Sequence, residues 1–518
     1  MGFIMYVGLF TLIALFGFYK KNFNYWKNKN VKMTNPWFPL GDISRAGFYK
    51  NIGIVMKEIY DKFPGEKFNG CWVFYRPHLM IRDPELIKTI FVKDFNYFRD
   101  RGLYFNEKTD PLSANLFFMG GNKWRSLRTK LTSNFSSGKM KKMFENMHEK
   151  SLELQKSVKD FAEKDKIIEP KYFTVRYTHD VAATCLLGFQ AKCLTNNDSI
   201  LPYVGHKVFE DTWTNIIKIA VSVFVPDIGT LFRIKITPKD VTNFFFNTVK
   251  DVMEFRESQN KDGGFNDFMQ TLVKLKKEGY TEYEDVKDYA LAQAFIFWMG
   301  AFESSASTMQ FALYEMSLNN LIQEKARQEV KSVLKKFNGQ LTYESLPYME
   351  YLGRVVDETL RKYPPVSVLT RVCLKKYKIP ESDVVIEKGT PLIITVLGLH
   401  MDPNYYPNPE KFDPERFTEE EKRKRHHYAY IPFGGGLHQC MGQRYGLMQI
   451  KIGLANLLVN YKFDISFKTP QRAKICRKNV LYTVRNGIPL DFNKVNLKYH
   501  RTGERSHSSV KIDYNLAR

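Results

Sequence analysis

Apolar positions crowd the start of the chain. Residues 1–19 hold no charged side chain and are apolar at Phe3, Ile4, Val7, Leu9, Phe10, Leu12, Ile13, Leu15, Phe16 and Phe18. Coiled as a helix, that stretch rises about 28 Å, close to the hydrocarbon thickness of a bilayer, so the pattern predicts a membrane-anchor helix. From 47 to about 98, helical periodicity alternates with short β-rich runs such as 71–75, with breaks at Pro77 and Pro84. Long amphipathic helices rich in Lys, Glu and Leu fill most of 122–338, and strand patterns return at 384–386, 392–396 and 480–484. No repeat or low-complexity linker divides this body. The expectation is a mainly α fold with minor β, one large domain preceded by an anchor helix. Its divisions are the anchor at 1–19, a basic and Pro-containing linker at 20–46, the body at 47–496 and a disordered basic tail at 497–518.

Composition narrows the class. With 44% hydrophobic and 15% aromatic residues among 518, the chain cannot be intrinsically disordered or collagen-like. A formal charge of +23 suggests a negative partner: nucleic acid, an anionic membrane surface or an acidic protein, among which charge alone does not choose. Lys20, Lys21, Lys27, Lys29 and Lys32 follow the apolar start at once, and such a flank stays on the cytoplasmic side. A cleaved signal peptide is the competing reading, but the stretch lacks a basic leading region and a small-residue cleavage site. Pro36, Pro39 and Gly41 break any continuing helix and predict a stiff joint. The six cysteines, at 71, 185, 193, 373, 440 and 476, form no CxxC pair, which fits a reducing compartment where most are small buried hydrophobes.

Three strings carry candidate chemistry. A helical pattern over 283–319 is about 50 Å long, and its apolar middle at 290–302 is too short for a second membrane span. Just there, Gly300-Ala301-Phe302-Glu303-Ser304-Ser305 sets a carboxylate and hydroxyls into a core helix, where they need partners or work to do. Glu358 and Arg361 stand i,i+3 ahead of Pro364-Pro365 and can pair, and Arg416 follows about fifty residues on. The strongest string runs from Phe433 through Gly434-Gly435-Gly436, His438 and Cys440 to Gly442, ahead of a helical pattern. Glycines permit a tight turn and close backbone approach, and a helix N-terminus stabilises a thiolate. Such a thiolate suits an axial haem ligand. A cysteine nucleophile is the alternative, although no His-Asp constellation accompanies it.

Together these strings resemble the cytochrome P-450 enzymes. FGGGLHQCMG is similar to their haem-binding loop, ETLR to their ExxR, PERF to their PxRF, GAFESS to their oxygen-activating helix motif and WRSLR to their WxxxR helix. The stretch beginning at Trp124 and the helix before Ser304 look like the insect microsomal branch called family 6. The resemblance implies a haem-thiolate monooxygenase that uses haem b, O2 and NADPH and inserts one oxygen atom into lipophilic xenobiotic or endogenous molecules. It implies Cys440 as the metal ligand, with Trp124, Arg128, Arg371, Phe433, His438 and Gly442 around the cofactor. Glu303 and Ser304 would move protons, and Glu358, Arg361 and Arg416 would lock the core. Phe105, Phe117, Phe295, Phe302, Leu369 and Leu481 would line the substrate pocket. The implied partners are NADPH-cytochrome reductase, cytochrome b5 and membrane lipid, not nucleic acid, and the implied place is the endoplasmic reticulum membrane with the body in the cytosol. Lys422-Arg423-Lys424-Arg425 is a candidate docking run, or simply a solvated face. A P-450-type isomerase or dehydratase, or a weakly catalytic haem-binding membrane protein, is the alternative; the Glu303 and Ser304 pair favours the monooxygenase. Three positions depart from the family pattern. Ala301 replaces a glycine where oxygen would sit, Ser304 a threonine and His438 an arginine, and a propionate beside His438 would raise its pKa.

Overall fold

The computed structural model describes residues 2–37, 39–163, 167–259, 267–277 and 289–495. The early part of the long helical pattern at 283–288 and the tail at 497–518 lie outside the described residues. Apolar residues all round the pattern make the helix Tyr289–Leu318 the axis of the body, with 24 of its 30 residues buried. Against it pack the helices Pro170–Ala182, Gln443–Asn460 and Glu350–Lys362.

Among the described residues nine strands sit at the margins: β1 Phe68–Val73, β2 Arg76–Ile81, β3 Ile167–Ile168, β4 Val368–Val372, β5 Tyr377–Lys378, β6 Val385–Ile386, β7 Pro391–Thr395, β8 Tyr461–Ile465 and β9 Leu490–Lys494. The four-stranded sheet runs β1-β2-β7-β4, with β2 and β7 parallel and the other pairs antiparallel. β4 places Leu369 opposite Ile394 and Arg371 opposite Leu392. Two residues apart on one strand, Leu369 and Arg371 share a face. The pattern expected at 480–484 makes only an isolated bridge, Ile475 to Val484, while β8 and β9 pair where no strand was expected.

The N-terminal helix runs Gly2–Phe23, past the charge boundary at Lys20. Several of its side chains are outside the described residues, and among the described residues no single helix is long and apolar enough to cross a membrane. One bent pair, Trp213–Phe224 and Pro226–Phe232 at 114°, passes that test by length and composition. The basic, Pro-containing linker expected at 20–46, with its stiff joint, is fastened to the body. Trp26 is fully buried, its ring against Gly70, and bridges join Met33 to Gly70 and Gly41 to Val73. A large buried indole and sheet hydrogen bonds outweigh the helix-breaking prolines.

Candidate active site

The loop ahead of the helix Gln443–Asn460 is built by its glycines. Gly436 has φ +63°, and a Cβ there would stand 2.1 Å from the Phe91 carbonyl oxygen, so only glycine fits. The turn returns the chain so that the Cys440 N–H donates to the Phe433 carbonyl at 2.9 Å. Gly442 caps the helix and meets nothing within 4 Å where a Cβ would be. Cys440 is exposed, with protein groups crowded round it. Burial pushes the thiol pKa up; a hydrogen bond from the Gly442 backbone and the Arg128 and Arg101 charges pull it back. Leu369 approaches the same loop, its Cδ1 4.0 Å from the Cβ position of Gly434.

Beside the cysteine stands a group of cations that have no counter-ion among the described residues. Arg128, on the helix Gly121–Thr132, donates to the Gln439 carbonyl at 2.6 Å. Arg371 is buried, donates Nη1 to the Thr370 carbonyl at 2.7 Å and lies 4.5 Å over the Phe91 ring. Arg101 donates to the Phe117 carbonyl at 3.2 Å. Burial and the Arg128 charge lower the Arg101 pKa to about 10, and burial with Arg101 drives that of Arg371 down. Among the described residues no carboxylate pairs with any of the three. The buried donors Trp124 Nε1 and Arg371 Nε also find no acceptor.

His438 is buried with its ring centroid 3.9 Å from that of Trp124, and its Nε2 donates to the Arg99 carbonyl. That fixes the neutral tautomer and leaves Nδ1 unpartnered. Burial first, then the Arg101 and Arg371 charges, push its pKa down in the protein alone; the rise expected from a propionate depends on that carboxylate being bound beside it. Within the protein, His438 is a neutral packing group.

The other wall is the middle of the helix Tyr289–Leu318. Gln449 Nε2 donates to the Ala301 carbonyl at 3.0 Å, and a Cβ placed on Gly446 would stand 3.7 Å from Ser305 Oγ. These contacts bring the start of the cysteine-side helix to the stretch holding Gly300 and Ser304. Ile296, Gly300 and Ser304, spaced i,i+4,i+8, form its open stripe: Gly300 is exposed and the other two are half-buried. The Ser304 hydroxyl donates to the Gly300 carbonyl at 2.9 Å. Ala301 is buried, next to the main core. Glu303 also turns away, with Oε1 2.5 Å from Lys171 Nζ and accepting from Ser307 Oγ at 3.2 Å.

The pocket residues divide. Phe105 is half-buried against the main core, Leu481 is half-buried, and Phe117 is exposed with Arg101 4.8 Å over its ring. Phe295 and Phe302 do not reach the open stripe. Phe295 packs edge-on against Phe245, and Phe302 stacks on His179 at 4.1 Å, because one and two positions from Gly300's row a helix has already turned inward. Two residues escaped the sequence reading. Ile296 was signalled by its spacing to Gly300 and Ser304; Arg101 had no local signal, since its role depends on strand β4.

Glu358 and Arg361 make a fully buried fork: Arg361 Nε to Glu358 Oε2 at 2.6 Å and Nη2 to Oε1 at 2.9 Å. Arg361 also donates to the His400 and Pro409 carbonyls at 2.8 and 2.7 Å. The Asp413 N–H donates to Glu358 at 2.8 Å and Arg416 stands 3.5 Å from it. Three distant segments are thereby tied behind the cysteine loop.

A flat apolar macrocycle with two carboxylates matches this donor set: a thiol on one wall, an open helical stripe on the other, and unpaired guanidiniums with orphaned N–H donors at one end. Haem held through a cysteine thiolate supplies O2 activation. The site thus belongs to the haem-thiolate oxygenase class. A family model described as Cytochrome P450 matches residues 32–488. Cytochrome P450 6k1 of Blattella germanica is 37% identical over 503 residues, covering 93% of this chain and 95% of that protein. Probable cytochrome P450 6a13 of Drosophila melanogaster is 38% identical over 485 residues, covering 93% and 96%. Cytochrome P450 6A1 of Musca domestica is 34% identical over 505 residues, covering 96% and 99%. The chain belongs to the cytochrome P450 family. It is a haem-thiolate monooxygenase that draws NADPH-derived electrons from a reductase and oxygenates lipophilic molecules.

Proposed function

We propose that this monooxygenase works on the cytosolic face of the endoplasmic reticulum, held by the helix Gly2–Phe23. The observation that carries this is the exposed apolar surface of that helix, including Met5, Phe10 and Phe16, followed by Lys20 and Lys21. The bent pair Trp213–Phe224 and Pro226–Phe232 adds a second contact, with Leu231 and Phe232 exposed. Removing residues 1–19 should shift most of the protein out of the membrane fraction and leave weak peripheral binding. Full resistance of the truncated protein to alkaline carbonate extraction would contradict the single anchor.

Within the site, Cys440 would supply the thiolate that holds the haem, with Phe433 and Gly442 beside it. Arg101, Arg128, Arg371 and the Trp124 N–H would hold the propionates, and His438 packs against Trp124. Ser304 presents a hydroxyl on the stripe opposite the cysteine, and Glu303, the neighbouring carboxylate of the same motif, is held by Lys171. Ile296, Leu369, Phe105, Phe117 and Leu481 contact substrate, and Glu358, Arg361 and Arg416 hold the scaffold. Cytochrome b5 is a second electron donor, attracted with the reductase by the chain's positive charge.

A further inference from the structure

Under the bend between Trp213–Phe224 and Pro226–Phe232 lies a cavity of about 240 Å³ that shares Arg101 and Arg371 with the cation group beside Cys440. Its floor is sheet: Arg76 and His78 from β2, Thr370 and Arg371 from β4. Its roof is Phe224, Pro226 and Asp227, and Arg101 stands at its side. Asp227 is the only carboxylate in that lining, 3.7 Å from Arg76 and largely exposed. His78 adds no charge. It is buried, donates Nδ1 to the Arg76 carbonyl at 3.0 Å, and is held neutral by burial and by Arg76, with its pKa lowered to about 3.

The charges do not balance even with haem in place. Arg76, Arg101, Arg128 and Arg371 face Asp227 and the two propionates, which leaves one positive charge over. Arg371 is buried and Arg76, Arg101 and Arg128 are half-buried, and a surplus charge so placed favours a bound anion. Two features say which kind. The volume admits a phosphate group, and the apolar roof continues into the exposed Leu231 and Phe232, which are proposed to enter the lipid interface. A guanidinium fork suits phosphate oxygens.

We propose that this cavity seats the phosphodiester of an anionic phospholipid, gripped by Arg76 with Arg101 and Arg371 behind it, its acyl chains leaving along Phe224 and Pro226. The headgroup shares Arg76 with Asp227 and lies beside the arginines that would hold the propionates, so that its single charge meets the surplus. The inference rests on the proposed membrane seating and haem orientation.

The test uses full-length, haem-loaded protein in nanodiscs of equal parts phosphatidylcholine and phosphatidylglycerol. Native mass spectrometry reads the lipid retained on release. The protein should keep phosphatidylglycerol in preference, Arg76→Gln should lower that retention about tenfold, a loss of about 1.4 kcal/mol, and Asp227→Asn should raise it. Lys235→Gln, an exposed neighbouring charge, should leave it unchanged. Equal retention in Arg76→Gln, or an equal loss in Lys235→Gln, would overturn the site in favour of diffuse attraction. Displacement of the lipid by excess inorganic phosphate would make the occupant a free anion and overturn the headgroup assignment. A carbon-monoxide difference spectrum of each variant separates failure of the haem reading. Loss of the thiolate-type spectrum in Arg76→Gln would place that residue on the cofactor and contradict the proposal.

Discussion

Ser304 and Glu303 are neighbours in sequence and diverge in space. The hydroxyl stays on the open stripe, bonded to the Gly300 carbonyl, while the carboxylate meets Lys171 from another helix. That Glu303 sits inside a core helix is legible from sequence, because a charge in an apolar stretch stands out. That its partner is Lys171 is not, since 132 residues separate them and no local pattern links them. The same reason hid Arg101, whereas the cysteine loop was legible because glycines, cysteine and helix start are adjacent. With Ser304 as the hydroxyl on the stripe, Ser304→Ala should raise peroxide formed per NADPH severalfold at unchanged haem content. Ser304→Thr, whose branched side chain holds one rotamer better, should lower it. Equal coupling in both would make the residue mere packing.

At the scale of elements, the Glu358 and Arg361 fork ties the helix Glu350–Lys362 to the segments around His400 and Asp413. Arg361→Leu leaves a carboxylate with no solvent and no fork, at a cost of about 3–5 kcal/mol, a large part of a domain's net stability. Little haem-loaded protein should accumulate. Joint replacement of Glu358 and Arg361 by apolar residues should recover only part, because the carbonyls of His400 and Pro409 lose their donor. Full recovery, read by urea denaturation, would show that the fork contributes charge pairing alone. The i,i+3 spacing made this pair readable; its carbonyl partners are a product of the fold. The central helix was readable from its apolar run, and β8 with β9 was not, since two five-residue strands gain their meaning from pairing.

For the whole molecule, three histidines set an acid limit. His78, His179 and His400 are fully buried, and burial lowers each pKa to about 3, with Arg76, Arg176 and Arg361 nearby opposing a further charge. His400 is held neutral by accepting from the Ile431 N–H at 3.0 Å while Nδ1 donates to the Arg361 carbonyl at 3.1 Å. Each folded pKa lies below the unfolded value near 6.5, so the unfolded chain binds more protons between about 3 and 6.5. Stability is therefore full above the unfolded pKa and falls with pH through that window, by on the order of 1 kcal/mol per pH unit for each imidazole. His400→Phe should flatten the acid limb of a denaturation series against pH, while an unchanged slope would show that His400 does not titrate on unfolding. The basic composition was legible as a call for negative partners, but which cations stay unpaired emerged only when Arg101, Arg128 and Arg371 met around one site.

That convergence on Cys440 is the centre of the account, and a reduced carbon-monoxide difference spectrum of parent and Cys440→Ala tests it most directly. The parent should show the red-shifted Soret band of a thiolate-ligated haem, and Cys440→Ala should lose it, by failing to hold haem or by holding it without the thiolate. A parent without that band, or a variant that keeps it, would contradict the assignment of Cys440 and of the cations arranged beside it.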